Sequence, residues 1–366
     1  MAAAASIPSR HFLSTVPSEL RSRSPVVEEL PRQAEHVWDA YVQSHPRATL
    51  YDLYAWRYVA QRAYGIDSSF LVARDDASGP VRGVLPLFRI PRPRSPYLTN
   101  GLFGAYGDVL ADDRVYANAL LDAAVARVER GDADYLHLKL LGDAPASAFQ
   151  LQHVWVVARL ALGAGEAGTW ASLPSAMRTK IRRAQKAGFT AETSRTIDGF
   201  YDVLSENMLR KGSPIYGREF FDALLDELGP RASVLTLSHE GRVVSGAFVA
   251  WFNGVMYAPF ASSRPSVFTL KANQLLWWEI ARYAHALGLH TLDFGSSMRD
   301  SSGLEFKKHW GTKTESIGSY LHARPGVVPI ITPGESMLAR LTVNAWSHLP
   351  ASWAENLGPK VVRWIA

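Results

Sequence analysis

The sequence contains no cysteine, and this absence removes several kinds of chemistry together. None of the 366 residues is Cys, so disulfide frameworks, thiolate catalysis, zinc fingers and iron–sulfur clusters are excluded. The 11 His residues show no i, i+4 pair with a third ligand, and we expect no metal site. No apolar run reaches the roughly 18 residues of a membrane-spanning helix. Residues 1–10 lack the pattern of a signal peptide, so the expected location is the cytoplasm.

Charge is also scarce, whereas apolar residues are abundant. Charged residues make up 20% of the chain and hydrophobic residues 47%, which excludes a disordered chain and allows a sizeable core. A length of 366 residues predicts two domains. The net charge of +5 is too small for a dedicated nucleic-acid binder, so no DNA partner is expected, but it allows a local patch for an anionic ligand.

The order of predicted elements occurs twice along the chain. Each half reads as helices, an antiparallel strand meander, a helix, and then one or two strands, with Asn253-Gly254 as a hairpin signal in the second meander. This order predicts an α+β fold with an internal duplication. The predicted divisions are a flexible tail at 1–30, a first domain at 31–163, a second at 164–325, and a linker with an amphipathic tail at 326–366.

A glycine-rich segment at residues 163–168 matches the dinucleotide fingerprint G-x-G-x-x-G by its letters. That fingerprint requires a helix that opens on the last glycine. Because Thr169, Trp170 and Pro174 are expected to delay any helix, we interpret the segment as a flexible linker between the domains.

A cluster of basic residues lies within residues 167–191, where no acidic residue occurs. Its members are Arg178, Lys180, Arg182, Arg183 and Lys186. On a helix Arg178, Arg182 and Lys186 form one row in which like charges repel, so the cluster either binds a phosphate or carboxylate or is an ordinary solvated face.

Two further segments combine glycines with polar and aromatic residues. Residues 97–108 end in Tyr106 and Asp108 and are either the wall of a substrate cleft or a buried turn capped by Asp108. Residues 292–311 contain Asp293 and Ser296 after a strand. They show no G-x-S-x-G elbow, so a serine nucleophile is not expected.

The second of these segments carries a family resemblance. The runs Asn273-Gln-Leu-Leu-Trp-Trp, Leu292-Asp-Phe-Gly-Ser-Ser and Glu305-Phe-Lys-Lys-His-Trp-Gly are similar to those of FemAB-like acyltransferases of the GNAT superfamily, in the branch associated with exosortase systems and exopolysaccharide loci. The resemblance covers most of the chain beyond residue 31. It implies two tandem GNAT-like domains with mixed, largely antiparallel sheets.

The resemblance also implies a function and a set of site residues. The implied activity is transfer of an acyl or aminoacyl group to an amine, with a cell-envelope or polysaccharide precursor as the expected acceptor. Under this hypothesis Tyr257, Asp293 and Glu305 are the catalytic candidates, although Asp293 could instead fix the strand end. The substrate-binding candidates are Tyr106, Asp108, Arg178, Arg182, Ser296 and Lys307.

The donor stays open between acyl-CoA and aminoacyl-tRNA, and no tightly bound cofactor is expected. The coenzyme A loop usual in this fold is absent between residues 261 and 272, where Ser262-Ser-Arg-Pro stands. The long coiled-coil arm of many tRNA-dependent relatives is absent too. Without cysteine, an acyl group cannot pass through a cysteine thioester on the enzyme.

Two alternatives remain at this stage. The chain could be a non-catalytic module of the same fold that binds an anionic glycan or a lipid-linked precursor through its basic cluster. Separately, the tail could contact the inner face of a membrane or dock on the protein itself, because apolar residues recur along it at Trp346, Leu349, Trp353, Leu357, Trp364 and Ile365.

Overall fold

The structure is a computed structural model that describes residues 24–142, 149–330 and 346–365. Its strands in these ranges are β1 Val26–Glu29, β2 Asp67–Arg74, β3 Val81–Ile90, β4 Tyr97–Thr99, β5 Leu110–Ala111, β6 Tyr135–Leu140, β7 Gln150–Ala161, β8 Thr190–Ser194, β9 Ala232–His239, β10 Arg242–Phe252, β11 Val255–Ser263, β12 Thr291–Met298 and β13 Lys313–Ala323. Its helices there are α1 Glu35–Ser44, α2 Ala55–Tyr64, α3 Arg114–Glu129, α4 Gly165–Ser172, α5 Ser175–Gln185, α6 Asp198–Arg210, α7 Arg218–Leu228, α8 Ala272–Ala286, α9 Ser302–Lys308 and α10 Ala351–Val362.

All thirteen described strands belong to one sheet that runs through both halves of the chain. The order is β1-β2-β3-β4-β6-β13-β7-β12-β11-β10-β9-β8, with β5 on β3. The pairs are antiparallel except at two places, where β4 lies parallel to β6 and β11 lies parallel to β12. The predicted mixed, largely antiparallel α+β fold is therefore confirmed.

The two halves exchange strands at the centre of this sheet. β7 pairs with β12 and with β13, and β13 also pairs with β6 of the first half. β13, the last of the described strands, thus lies between β6 and β7. The domain limits at residues 163 and 325 remain predictions.

The second meander forms where the sequence predicted it. Asn253 and Gly254 both have positive φ, as do Glu240 and Gly241, and two such residues in succession give the turn that matches the twist of an antiparallel hairpin. These turns join β9, β10 and β11 in the predicted order.

Three large hydrophobic cores and one small cluster around Val244, Val267 and Ala272 pack the described elements together. One lies under α3 in the first half, and a second lies under α5 and α8 in the second half. The third contains side chains from both halves, including Trp38 and Phe220, and there α2 packs against α7. Burial in a shared core fixes how the halves are placed, which positions residues from both at one site.

Two local predictions were wrong. Residues 26–29 were assigned to the flexible tail, but they form β1 on the edge of β2. Residues 165–172 were interpreted as a flexible linker, yet they form α4. The Thr169 hydroxyl of this helix accepts a hydrogen bond from the Gly163 N–H at 2.8 Å, which ties the preceding residues to it. β7, which leads into α4, is antiparallel to both of its neighbours, so the parallel crossover that dinucleotide binding needs is not formed here.

The predicted tail contains a helix that packs on the protein. α10 contacts α6, whereas residues 331–345 of the same predicted tail lie outside the described residues. In the described part of the chain, the helices are too short or too polar to cross a bilayer.

Candidate active site

The candidate site lies where the parallel pairing of β11 with β12 stops. The register runs Val255–Thr291, Met256–Leu292 and Tyr257–Asp293. Pro259 follows on β11 and offers no N–H for a further ladder bond. On β12 the next residues are a bulge against β7 between Asp293 and Ser296, and Gly295 there has φ 75°, a conformation that glycine adopts without strain.

Asp293 is the centre of a buried cluster at this strand end. Its carboxylate is fully buried and accepts hydrogen bonds from the Tyr106 hydroxyl, from Arg159 Nε at 2.9 Å and from the Gly295 N–H at 2.7 Å. A buried carboxylate is stable when it is paired and hydrogen-bonded in this way. The cluster consists of Tyr51, Tyr106, Arg159, Tyr257 and Asp293, and we call it the Asp293 cluster.

The aromatic members of the Asp293 cluster come from both halves of the chain. The ring of Tyr51 lies edge-on to the rings of Tyr106 and Tyr257, with centroids 5.2 and 5.6 Å apart. Burial raises the pKa of Tyr106 and Tyr257 well above its ordinary value, and the nearby Asp293 raises it further. Both hydroxyls therefore stay protonated, so they can donate hydrogen bonds but are poor bases.

Lys307 reaches the same strand end from α9. Its ammonium donates to the carbonyl oxygens of Gly295 at 2.8 Å and Ser296 at 3.0 Å. Burial lowers the pKa of Lys307 to about 8, although the Asp293 charge acts in the opposite direction. The Ser296 hydroxyl donates to the Gly104 carbonyl of the first half at 2.9 Å. Tyr106, Tyr257, Asp293, Ser296 and Lys307 are thus brought together by the fold.

Glu305 and Lys307 do not share a face of α9. Residues two apart on a helix point in nearly opposite directions. Glu305 is exposed and pairs with Lys308 at 2.8 Å, and this hydrogen bond lowers the pKa of Glu305. The prediction that Glu305 lines the cleft beside Lys307 does not agree with this geometry.

Asp108 lies in a different environment from Tyr106. Its Oδ2 pairs with Arg47 Nη1 at 2.6 Å and its Oδ1 accepts from the Val109 N–H at 2.9 Å. Burial raises the pKa of Asp108, while the Arg47 charge lowers it. These contacts match the alternative of a capped, buried turn better than a substrate contact.

The two arginines predicted to bind an anion lie on α5, beside α4. Arg178 donates to the carbonyl oxygens of Ala171 at 3.0 Å and Trp170 at 3.4 Å, so it caps the last turn of α4. Arg182 lies over the Trp170 ring, with its guanidinium carbon 5.3 Å from the centroid. It borders a surface cavity of about 440 Å³ that has no lining residue in common with the Asp293 cluster. The structure does not bring these arginines to the candidate site.

Sequence reasoning missed Arg159 and Tyr51. Arg159 stands alone among apolar residues in the strand at 154–162, and a cation in such a strand indicates a buried partner, which was the available signal. Tyr51 begins an aromatic stripe that continues through Tyr54, Trp56, Tyr58 and Tyr64, a pattern typical of ordinary core. Its burial agrees with that interpretation, but the ring also contacts both tyrosines of the cluster. Among the described residues, no group of three His, Asp or Glu side chains is placed to hold a metal ion.

Residues 172–308 match the family model of the acetyltransferase (GNAT) domain, and this range contains Tyr257, Asp293 and Lys307. Residues 172–308 form a GNAT domain. No curated protein sequence matches the chain.

Solved structures extend the GNAT likeness beyond the second half. A structure of FemX is 17% identical and covers 82% of this chain and 97% of its own, with a TM-score of 0.62. A lysylphosphatidylglycerol synthetase C-terminal domain from Agrobacterium fabrum is 14% identical over 80% of this chain and 92% of its own, with a TM-score of 0.54. A tandem GNAT protein from the clavulanic acid biosynthesis pathway is 15% identical over 83% of this chain and all of its own, also with a TM-score of 0.54.

The predicted GNAT-like fold is confirmed by the domain match over residues 172–308 and by these structures. The resemblance to FemAB-like proteins agrees with the FemX fold. The link to exosortase systems and exopolysaccharide loci stays a prediction.

Proposed function

We propose that this protein is an N-acyltransferase or aminoacyltransferase whose reaction takes place at the end of the β11–β12 pair. The observation that supports it most directly is the Lys307 ammonium, held at the carbonyl oxygens of Gly295 and Ser296 where the parallel ladder stops. In acyl transfer an oxyanion develops on the acyl carbon, and a cation or N–H donor fixed in advance stabilises it strongly.

In the proposed step an amine nitrogen attacks the acyl carbon of the donor. The new N–C bond forms, and the C–S bond of a thioester or the C–O bond of an ester breaks. The amine loses a proton, and the leaving thiolate or alkoxide gains one. The protein contributes mainly by holding the two substrates together, and Lys307 carries the charge that faces the oxyanion.

Asp293 acts in this proposal as a positioning residue. Because its oxygens accept hydrogen bonds from Tyr106, Arg159 and Gly295, they are not free to take the amine proton. The carboxylate instead holds the turn at Gly295 in place. It thereby positions the two carbonyl groups that Lys307 contacts. We assign the proton transfer to water, since Tyr106 and Tyr257 also stay protonated.

The donor and acceptor are proposed only by class. The segment from Ser262 to Lys271 contains no glycine, and Arg264 in it pairs with Glu206 at 2.7 Å, which does not favour a coenzyme A loop there. The name of the lysylphosphatidylglycerol synthetase neighbour supports an aminoacyl donor and an acceptor in the cell envelope. Acyl-CoA and aminoacyl-tRNA therefore both belong in the test.

The test incubates the purified full chain with acyl-CoA mixtures and, separately, with charged tRNA pools, each with amine acceptors that include aminosugars and phosphatidylethanolamine. Mass spectrometry follows donor consumption and new amide products. We expect turnover with at least one donor class, its loss in Lys307→Met, and its retention in Glu305→Gln, the matched variant on the opposite face of α9. Inertness toward every donor, or equal losses in both variants, would contradict the proposal.

The same variants separate catalysis from a pure binding module. A module that binds an anionic glycan through its exposed cations would lose binding in Arg182→Glu or Arg183→Glu and would be unchanged by Lys307→Met. That pattern, together with no turnover, would favour the non-catalytic alternative.

A further inference from the structure

The outer face of α10 carries a regular row of three apolar residues and one lysine. Trp353, Leu357, Lys360 and Trp364 follow at i, i+4, i+7 and i+11, which places them on one side of the helix and its C-terminal turn. Trp353 is 63% exposed, Leu357 41% and Trp364 37%. Exposed tryptophans at both ends of one face are unusual on a surface that meets only water.

The inner face fixes α10 so that this row cannot turn inward. Ala354, Gly358 and Val362 are buried. Gly358 approaches the Ile215 carbonyl so closely that a Cβ would lie 2.5 Å from its oxygen, a contact that only glycine allows. The helix therefore already docks on the protein with its small residues, and the tryptophans belong to a second, exposed face.

A second segment extends the exposed apolar surface. One guanidinium, that of Arg92, donates to the Trp364 carbonyl at 3.1 Å and to the Ile330 carbonyl at 3.2 Å. Ile330 is 50% exposed and Ile365 is 39% exposed. These residues join the row on α10, and we call Ile330, Trp353, Leu357, Trp364 and Ile365 the tail patch.

The charges on α10 and on the connector at residues 91–96 are mostly positive, whereas α6, against which α10 packs, carries Asp198 and Asp202, both paired with Arg218. Lys360 lies within the row, and Arg363 follows it on the same helix. Arg94 is exposed on the connector that carries Arg92. Glu355 is the single acidic residue of α10, and it lies about 200° around the helix axis from Trp353, away from the row. A basic surface with interleaved tryptophan and leucine complements an apolar layer edged by negative charge.

We propose that the tail patch binds the surface of a bilayer that contains anionic lipids. Trp and Leu side chains enter the boundary between headgroups and acyl chains, while Lys360 and the neighbouring arginines meet the lipid phosphates. The mode is peripheral, since α10 has 12 residues and a helix that spans a bilayer needs about 20.

The position of α10 relates this surface to the candidate site. α10 packs on Ile215 and Gly217 through Gly358 and Pro359. Between them, Tyr216 lies edge-on to Phe103, with ring centroids 5.2 Å apart, and Phe103 precedes the Gly104 carbonyl that Ser296 contacts. A bilayer held by α10 is thus connected to the candidate site by one packed layer of aromatic residues.

The test is flotation of the full chain with vesicles of phosphatidylcholine alone and of phosphatidylcholine mixed with phosphatidylglycerol. We expect binding to the mixed vesicles that weakens with added salt. The double variant Trp353→Ser/Trp364→Ser should bind at least about tenfold more weakly, because two large apolar side chains no longer enter the lipid. Lys360→Glu should weaken binding to the mixed vesicles and leave the weak binding to phosphatidylcholine unchanged.

The matched control is Phe268→Ser, which removes an aromatic residue of similar exposure, 45%, far from α10 in sequence, and should leave binding unchanged. Thermal unfolding of each variant checks that the fold is kept.

Absence of wild-type binding, or an equal effect of Phe268→Ser, would overturn the proposal. So would dissociation of a dimer by the double variant in sedimentation without vesicle binding, since a second copy would then occupy the patch. Binding is measured without any acyl donor, so the outcome does not depend on the proposed catalysis.

Discussion

Each half contains a short parallel strand pair. The two pairs differ in the groups that form hydrogen bonds with the backbone where the pairing stops. In the first half the β4–β6 pair ends at Thr99–His137, and the Asn100 side chain then bonds both the carbonyl of Lys139 at 3.1 Å and its N–H at 2.8 Å. Gly107 follows as a bridge to Leu140. Where β4 and β6 separate in the first half, the free backbone groups of β6 are therefore hydrogen-bonded by the Asn100 amide and by the backbone of Gly107.

In the second half the corresponding carbonyls, at Gly295 and Ser296, are bonded by the Lys307 ammonium. A lysine side chain is flexible and charged, whereas the amide of Asn100 is fixed and neutral. The comparison explains why we place the reaction in the second half: its strand end keeps a cation that a substrate oxygen can engage. The first half is expected to serve as a wall that contributes Tyr51, Tyr106 and Gly104.

The largest expected effect concerns the cross-link between the halves. Arg159→Met removes the cation that pairs with buried Asp293 and should lower the free energy of unfolding by about 3–5 kcal/mol. Urea denaturation measures this. Arg130→Met, which breaks only an exposed pair with Asp132 at 4.0 Å, is the control and should change stability by less than about 1 kcal/mol. Similar losses in both variants would show that the Asp293 cluster does not hold the halves together.

The second-largest expected effect is a loss of enzymatic turnover when the β11–β12 strand end is changed. Lys307→Met should lower kcat per folded molecule by about 10²- to 10³-fold, as removal of one oxyanion donor does. It should also cost some stability, because the Gly295 and Ser296 carbonyls lose a partner. The measurement is product formation with the donor identified in the donor screen. A rise in KM with unchanged kcat would mean that Lys307 binds substrate without stabilising the transition state.

Asn100→Ala tests the first half in the opposite sense. It leaves the N–H and carbonyl of Lys139 without partners and should cost about 1–3 kcal/mol of stability, measured by thermal unfolding. Turnover per folded molecule should stay unchanged. A large loss of turnover with little loss of stability would move the reaction to the first half and reverse the comparison.

The smallest effect is a pH dependence. Burial lowers the pKa of Lys307 to about 8, so the cation is present below this pH and is lost as the pH rises through it. Arginine stays charged over the whole range, and deprotonation of the acceptor amine affects both enzymes alike. The ratio of wild-type to Lys307→Arg activity should therefore fall about tenfold per pH unit above 8. A ratio that rises with pH would assign Lys307 the role of a base.

Much of the fold could be predicted because its signals are local. The turns at Glu240-Gly241 and Asn253-Gly254 require positive φ, and Asn and Gly adopt such angles readily, which placed the second meander. β1 and β8 were missed, since Val26–Glu29 and Thr190–Ser194 are short edge strands without a strong apolar alternation. The exchange of β7 and β13 depends on pairing between distant segments, and no local signal carries that information.

The candidate site was predicted in part for the same reason. Asp293, Ser296 and Lys307 lie within one motif run, so they could be selected together. Arg159 and Tyr51 reach Asp293 only through tertiary packing. Arg178 was selected from charge alone, and its role as a cap on α4 depends on where the preceding helix ends.

The exchange of strands also determines when the molecule can finish folding during synthesis. Chains fold from the N-terminus as they leave the ribosome, but β6 and β7 flank a position that β13 fills, and β13 is the last of the described strands to emerge. Until then the first half presents an unpaired edge, and Arg159 on β7 must wait for Asp293 on β12. The Asp293 cluster is therefore assembled late, and a ribosome that stops before residue 313 releases a chain with an open edge at the middle of its sheet.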